Sequence, residues 1–293
     1  MILLRAATLS VSDLQRSIDL YQTCLDYVLV EHGVIDAALA TRWGTPGVAD
    51  RASAVLRPAS GKDIFLRLVE QPAVEGFRAL RTFGWNAIEV CVSDVKAVHE
   101  RLQKSPFEII GPPRENPGLA NIHPMQIKGP DEEVVFLTQI NADTPPFRLP
   151  RAGTLIDQIF ILVIGCSDMA AAVKWFADHV GLAAGEEMEI AYTMLAKAYG
   201  KDLSTQYALT TMVDDFDVFL EVDQYPEEAT DRTVTAGCLP PGCSLATFLT
   251  PDIDSLPGPW ICPPATQAGA IYENKRAGTM IGPDGALVEI VEV

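Results

Sequence analysis

Basic residues are in short supply. Lysine and arginine number 22 against 39 aspartates and glutamates, a formal net charge of −17. A polyanion would be repelled by such a chain, which argues against nucleic acid and anionic membranes as partners; solubility is the consequence expected of the charge. The chain also lacks any cysteine pattern. Cys24, Cys91, Cys166, Cys238, Cys243 and Cys262 are scattered, with no C-x-x-C and no metal-ligand spacing, and read as buried or incidental thiols. No apolar run reaches the roughly 18 residues of a membrane helix. The opening M-I-L-L-R-A-A-T-L is too short, and too soon interrupted by Arg5, for a signal peptide, so the cytoplasm is the expected location.

What is present is an ordinary globular composition, 48% apolar and 21% charged, over 293 residues, a length that fits two domains. Residues 3–12 read as a strand, and Ser12-Asp13 caps a helix whose Leu14, Ile18, Tyr21 and Leu25 recur at helical spacing. A short helix is expected at 37–44, closed by Gly44, followed by strands near 53–57 and 63–70. A second module opens at Trp85 with W-N-A-I-E-V-C-V-S-D, continues into a helix at 95–102, and returns through strands near 121–127 and 133–140.

The stretch T-P-P-F-R-L-P-R-A-G carries three prolines and a glycine, and it predicts a linker at 144–152 between domains 1–143 and 153–293. Beyond it the pattern starts again. I-D-Q-I-F-I-L-V-I-G-C-S-D matches the opening strand, T-M-L-A-K-A-Y-G matches A-A-L-A-T-R-W-G, and D-V-F-L-E-V-D-Q-Y-P matches D-I-F-L-R-L-V-E-Q-P. S-L-A-T-F-L-T-P-D repeats the second module's strand, with Pro257 and Pro259 cutting its helix short. Each half ends in a Gly-Pro-Asp turn and a strand: I-K-G-P-D-E-E-V-V-F-L at 127–137, and I-G-P-D-G-A-L-V-E-I-V at 281–291. In that last strand Leu287, Glu289 and Val291 share a face, so a carboxylate stands in an apolar row.

Four such modules resemble the vicinal oxygen chelate superfamily, which holds glyoxalase I, bleomycin-resistance proteins and extradiol dioxygenases. The resemblance covers nearly the whole chain and implies an α+β fold in which tandem βαβββ modules form two half-open barrels, each with its site in a cup. It also implies ligand positions on the first and last strands of each module. In the first half these fall at Ala6, Arg67, Ala87 (or Asn86) and Phe136, a poor metal set; in the second they fall at Gln158, Glu221, Leu245 (or Ser244) and Glu289. The C-terminal half thus has room for one divalent ion on Gln158, Glu221 and Glu289, and the N-terminal half for none. Two histidine ligands of an iron extradiol enzyme are missing, which argues against ring cleavage.

The expected function is a glyoxalase-like lyase or isomerase acting on a small aromatic or hydrophobic carbonyl or vicinal-oxygen compound in the C-terminal cup, with Glu289 and Glu221 as catalytic groups. Without a cation, two nearby carboxylates repel and push one pKa up toward a useful base. Trp43, Tyr192 and Tyr199, on the matching inserted helices, are candidate substrate contacts, as are His123 and Arg276 near the inner strands. The alternative is a binding or sequestration protein of the bleomycin-resistance kind, in which no bond breaks. The partner is then a small molecule in either case, and exposed sheet edges allow a homodimer.

Overall fold

The computed structural model describes residues 3–115, 120–142, 145, 147–215 and 217–293. The expected modules are all there. The first comprises β1 (Leu3–Val11), α1 (Leu14–Leu25), β2 (Tyr27–Val34), α2 (Ala37–Arg42), β3 (Ala52–Pro58) and β4 (Phe65–Glu70). The second comprises β5 (Gly84–Val92), α3 (Val95–Leu102), β6 (Glu108–Gly111), β7 (Ile122–Lys128) and β8 (Val134–Ile140). The third has β9 (Ile156–Cys166), α4 (Met169–Val180), β10 (Ala183–Ala191), α5 (Thr193–Ala198), β11 (Gln206–Asp214) and β12 (Asp217–Gln224). The fourth has β13 (Gly242–Thr250), β14 (Ala265–Thr266), β15 (Arg276–Ile281) and β16 (Leu287–Glu292), and a single 3-10 turn at Ile253–Ser255 replaces its helix. No helix among the described residues is long and apolar enough to cross a membrane.

Each module starts by the same local chemistry. The carboxylates of Asp13, Asp94, Asp168 and Asp252 accept from backbone N–H groups of Arg16, Lys96, Ala171 and Asp254, satisfying donors that a helix or turn start leaves open. The Gly-Pro-Asp turns then dock on these corners. Asp131 accepts from Ser12 N at 3.0 Å and from Arg16 Nη2 at 2.8 Å, while Asp284 accepts from Ser167 N at 3.1 Å and Ser167 Oγ at 2.5 Å.

The α+β architecture is borne out as two eight-stranded mixed sheets, ordered β14-β15-β16-β13-β1-β4-β3-β2 and β10-β11-β12-β9-β5-β8-β7-β6. Their composition corrects the expectation that consecutive modules share a sheet. Modules one and four make the first sheet, through β1 antiparallel to β13; modules two and three make the second, through β5 antiparallel to β9. The segment 71–83 leads from β4 in one sheet to β5 in the other, so the half-chains 1–143 and 153–293 each contribute to both. The linker expected at 144–152 lies partly outside the described residues, at 144 and 146.

One apolar core joins the two sheets. Leu9, Leu66 and Phe248 from the first, Ile88, Leu137 and Leu220 from the second, and Ile18, Val98 and Phe176 from the helices belong to one cluster, each such side chain worth roughly 1.5–3 kcal/mol on full burial. Trp85, on β5, reaches across it to donate its Nε1 to the carbonyl of Leu287 at 2.8 Å. The opposite faces carry two separate clusters, one per sheet, and these are the cups.

Candidate functional site

Register decides which residues meet in each cup. In the first sheet β1 runs parallel to β4 with Thr8 beside Arg67, and β13 parallel to β16 with Thr247 beside Glu289. In the second, Val163 on β9 stands beside Glu221 on β12, and Glu89 on β5 beside Phe136 on β8. The two cups therefore offer contrasting quartets: Thr8, Arg67, Thr247 and Glu289 in one, Val163, Glu221, Glu89 and Phe136 in the other.

The first cup is closed. Glu289, 1% exposed, accepts from Trp43 Nε1 at 2.7 Å, Tyr272 OH at 2.9 Å, Thr247 Oγ1 at 2.9 Å and Arg67 Nη2 at 3.0 Å. Arg67 also gives Nη1 to Tyr272 OH at 2.6 Å, and its guanidinium lies over the Trp43 ring at 4.6 Å and the Tyr272 ring at 5.4 Å. Burial opposes the charge on Arg67, but Tyr272 and Glu289 more than offset it and raise its pKa above the ordinary arginine value. Trp43, Arg67, Thr247 and Tyr272 are all buried, so the carboxylate has its full complement of donors and no path to solvent.

The second cup is open. A cavity of about 490 Å³ is walled by Phe136, Phe147, Phe160, Ile190 and Tyr192, among others, and Glu89 and Glu221 reach into it. The Phe136 and Tyr192 rings meet edge to face at 6.4 Å. Tyr192 OH donates to Glu221 Oε1 at 3.2 Å, and Thr138 Oγ1 donates to Glu89 Oε1. Burial, reinforced by the charge of Glu221, pushes the Glu89 carboxyl up to about 8 against the Thr138 hydrogen bond. Glu221 is raised by burial and held back by hydrogen bonds from Asp223 and Tyr192. Asp223, buried on the same face of β12, is raised well above the ordinary aspartate value by burial and then by Glu221. Three acids thus share fewer than three negative charges near neutral pH, with protons held between them.

The predicted site residues are dispersed. Glu289 and Trp43 lie in the closed cup; Glu221 and Tyr192 lie in the open one. Gln158 lines a different cleft, between the sheets, beside Lys62, Ile64 and Phe219. Tyr199 sits outside the open cup's wall with the Arg81 guanidinium over its ring at 4.6 Å. His123 alternates with the lining residues Ile122 and Pro124, so its ring leaves the cavity and meets Ala120 O at 3.1 Å. Arg276 is a surface residue forked between Asp254 and Glu292. Sequence reasoning missed Glu89, Asp223 and Arg114. The signal for Glu89 was the one that singled out Glu289, a carboxylate inside an apolar strand; Asp223 stands two residues after Glu221, hence on its face.

A chelated metal of the kind the resemblance implies does not fit these residues. Among the described residues no group of three or more His, Cys, Asp or Glu side chains could hold an ion. In the first cup the Arg67 guanidinium occupies the carboxylate that would be a ligand, and in the second Val163 and Phe136 supply no donor at two of the four positions.

Sheet order, module order and paired cups define the vicinal oxygen chelate fold. Glyoxalase I from Zea mays superposes with a TM-score of 0.66 at 16% identity, over 100% of this chain and 92% of that one. A Bacillus subtilis protein proposed to be a dioxygenase superposes with a TM-score of 0.58 at 13% identity, over 99% and 84%. At such identities the likeness establishes the fold. No protein-family model and no curated protein matches the sequence.

Proposed function

We propose that the open cup binds a small hydrophobic or aromatic carbonyl compound and that Glu89 and Glu221 move a proton on it, in a lyase or isomerase reaction of the glyoxalase kind without a chelated metal. The reading moves the site from the expected C-terminal pair to a cup built from both halves. The observation that carries it is the Glu89–Glu221 pair at the wall of an aromatic-lined cavity of about 490 Å³. A carboxyl pushed up to about 8 is a general acid at neutral pH, and the Tyr192 hydrogen bond favours the ionised form of Glu221, which is then the base. Glu221 takes a proton from the carbon beside the carbonyl, and Glu89 gives its proton to the carbonyl oxygen. In an α-hydroxy carbonyl compound the resulting enediol is reprotonated at the former carbonyl carbon while its other hydroxyl gives up its proton, completing an isomerisation; where a leaving group stands β to the carbonyl, the enol returns its O–H proton and expels that group in a lyase reaction.

The test is exchange of the α-hydrogens of a panel of aryl ketones and aryl hydroxyketones in deuterated water, followed by proton NMR. Wild-type protein should accelerate exchange for part of the panel, and Glu221→Gln and Glu89→Gln should each lower that rate by at least ~100-fold. Exchange unaffected by either change would refute the assignment. Sequestration is the second reading, supported by Phe136 at the register position that Glu289 holds in the other cup. It predicts tight binding of panel members with no exchange at all.

A further inference from the structure

Among the described residues Arg114 is the one cation in the wall of the open cup, which otherwise carries Glu89, Glu221 and, at the rim, the exposed Glu186. Its engagement is sparser than that of Arg5, Arg67 and Arg232, and matches that of the half-buried Arg42, which does not line the cavity. Arg5 pairs with Glu273 and three carbonyls, Arg67 with Glu289, and Arg232 with the carbonyls of Trp85, Pro241 and Cys243. Arg114 is half-buried, and its side chain has a single hydrogen bond, Nη1 to Thr193 Oγ1 at 2.6 Å, while Nε is buried without a partner. No carboxylate pairs with it among the described residues. In a chain of net charge −17 with acids along the same cavity, a cation held out of ion pairing is a costly arrangement unless something else brings the negative charge.

We propose that Arg114 is the anion-binding residue of this cup, and that the ligand carries a carboxylate as well as a hydrophobic body. This rests on the reading of the open cup as the small-molecule site. Thr193 opens α5, so its hydroxyl pins one arm of the guanidinium against that helix and leaves the rest of the planar fork to face a carboxylate, the geometry in which arginine exceeds lysine. A monoanionic carboxylate suits the pocket better than a phosphate dianion, since it adds one negative charge rather than two to a wall that already carries Glu89 and Glu221.

The experiment uses the full chain and a panel of aryl carboxylic acids with their matching primary amides, read by thermal shift and titration calorimetry. Wild-type protein should bind the best acids at least ~10-fold more tightly than their amides, the scale of one charge-assisted pair. Arg114→Gln should erase that preference while leaving the melting temperature of the unliganded protein essentially unchanged, and Arg114→Lys should keep part of it. Equal binding of acids and amides, no binding of any acid, or a preference that survives Arg114→Gln overturns the proposal. The carboxylate reading is distinguishable from it: α-hydrogen exchange that is lost in Glu221→Gln yet indifferent to Arg114→Gln leaves the chemistry standing without the anion site. An acid preference without any exchange does the reverse.

Discussion

Removing the Arg67 side chain tests whether the first cup is a structural element rather than a reaction site. Arg67→Met keeps most of the volume but takes away the one cation facing Glu289, which lies 3.0 Å from Nη2 and is 1% exposed. Three neutral donors, on Trp43, Tyr272 and Thr247, still solvate the carboxylate. They do not neutralise it. Breaking one side of a buried pair in this way costs about 3–5 kcal/mol, and the lost stacking of the guanidinium on Trp43 at 4.6 Å adds to it. Replacing both partners, as Arg67→Met with Glu289→Leu, removes the uncompensated charge, so most of that cost should return and the double variant should be more stable than Arg67→Met alone. Urea denaturation followed by tryptophan fluorescence and near-ultraviolet circular dichroism measures both, with the slope against urea checked for constancy. A cost for Arg67→Met below about 1 kcal/mol, the value of an exposed pair, would refute the reasoning. So would a double variant no better than the single one. Alongside, Glu289→Gln should leave α-hydrogen exchange at the open cup unaltered, the reverse of what the sequence led one to expect.

Three further outcomes follow from other parts of the molecule. Glu89 and Glu133 both have folded-state pKa values raised from 4.5 to about 8, so the native state holds protons that the unfolded chain has lost: stability is full below about 4.5 and declines as pH rises toward 8, and Glu89→Gln should flatten part of that slope in thermal melts across this range. A Cβ added at Gly165 would lie 2.5 Å from Tyr225 Cε1 and 2.7 Å from Asn86 Nδ2, so Gly165→Ala should cost about 1–3 kcal/mol by denaturant titration; a neutral result would mean that β9 can shift away from Tyr225. Cutting the chain within 147–152 should leave the two fragments together on size exclusion under native conditions, since each sheet contains strands from both; free, stably folded halves would contradict the sheet pairing.

The modules were legible because their signals are local. Ser-Asp corners, helical spacing and Gly-Pro-Asp turns depend on neighbours a few residues away, and all four Asp residues at the module starts cap as the pattern implies. Which modules pair is a long-range property, and the repeat is compatible with either arrangement. The site positions differ through register. The first-strand positions in the cups are Thr8, Glu89, Val163 and Thr247, whereas the resemblance led to Ala6, Ala87, Gln158 and Leu245, two or five residues early. Irregularities in the β1–β13 and β5–β9 pairings, such as that between Trp85 and Ala87, break the simple two-residue count that such carry-over depends on. Edge strand β2 went unread because exposure along nearly its whole length leaves no alternation to find.

Interleaving the modules also sets an order of completion during synthesis. The second sheet draws on β5 to β12, a continuous middle portion of the chain, and can close as soon as β12 has left the ribosome. The first sheet cannot. Thr8 waits for Leu245 and Arg67 for Glu289, so the first module stands with its β1 edge uncovered and a buried-type arginine unmatched until β13 and β16 have been made. The cup that offers an open cavity is therefore assembled on the nascent chain first, and the closed cup acts as the final latch, with a truncated product betrayed by an exposed strand edge and a cation without its counterion.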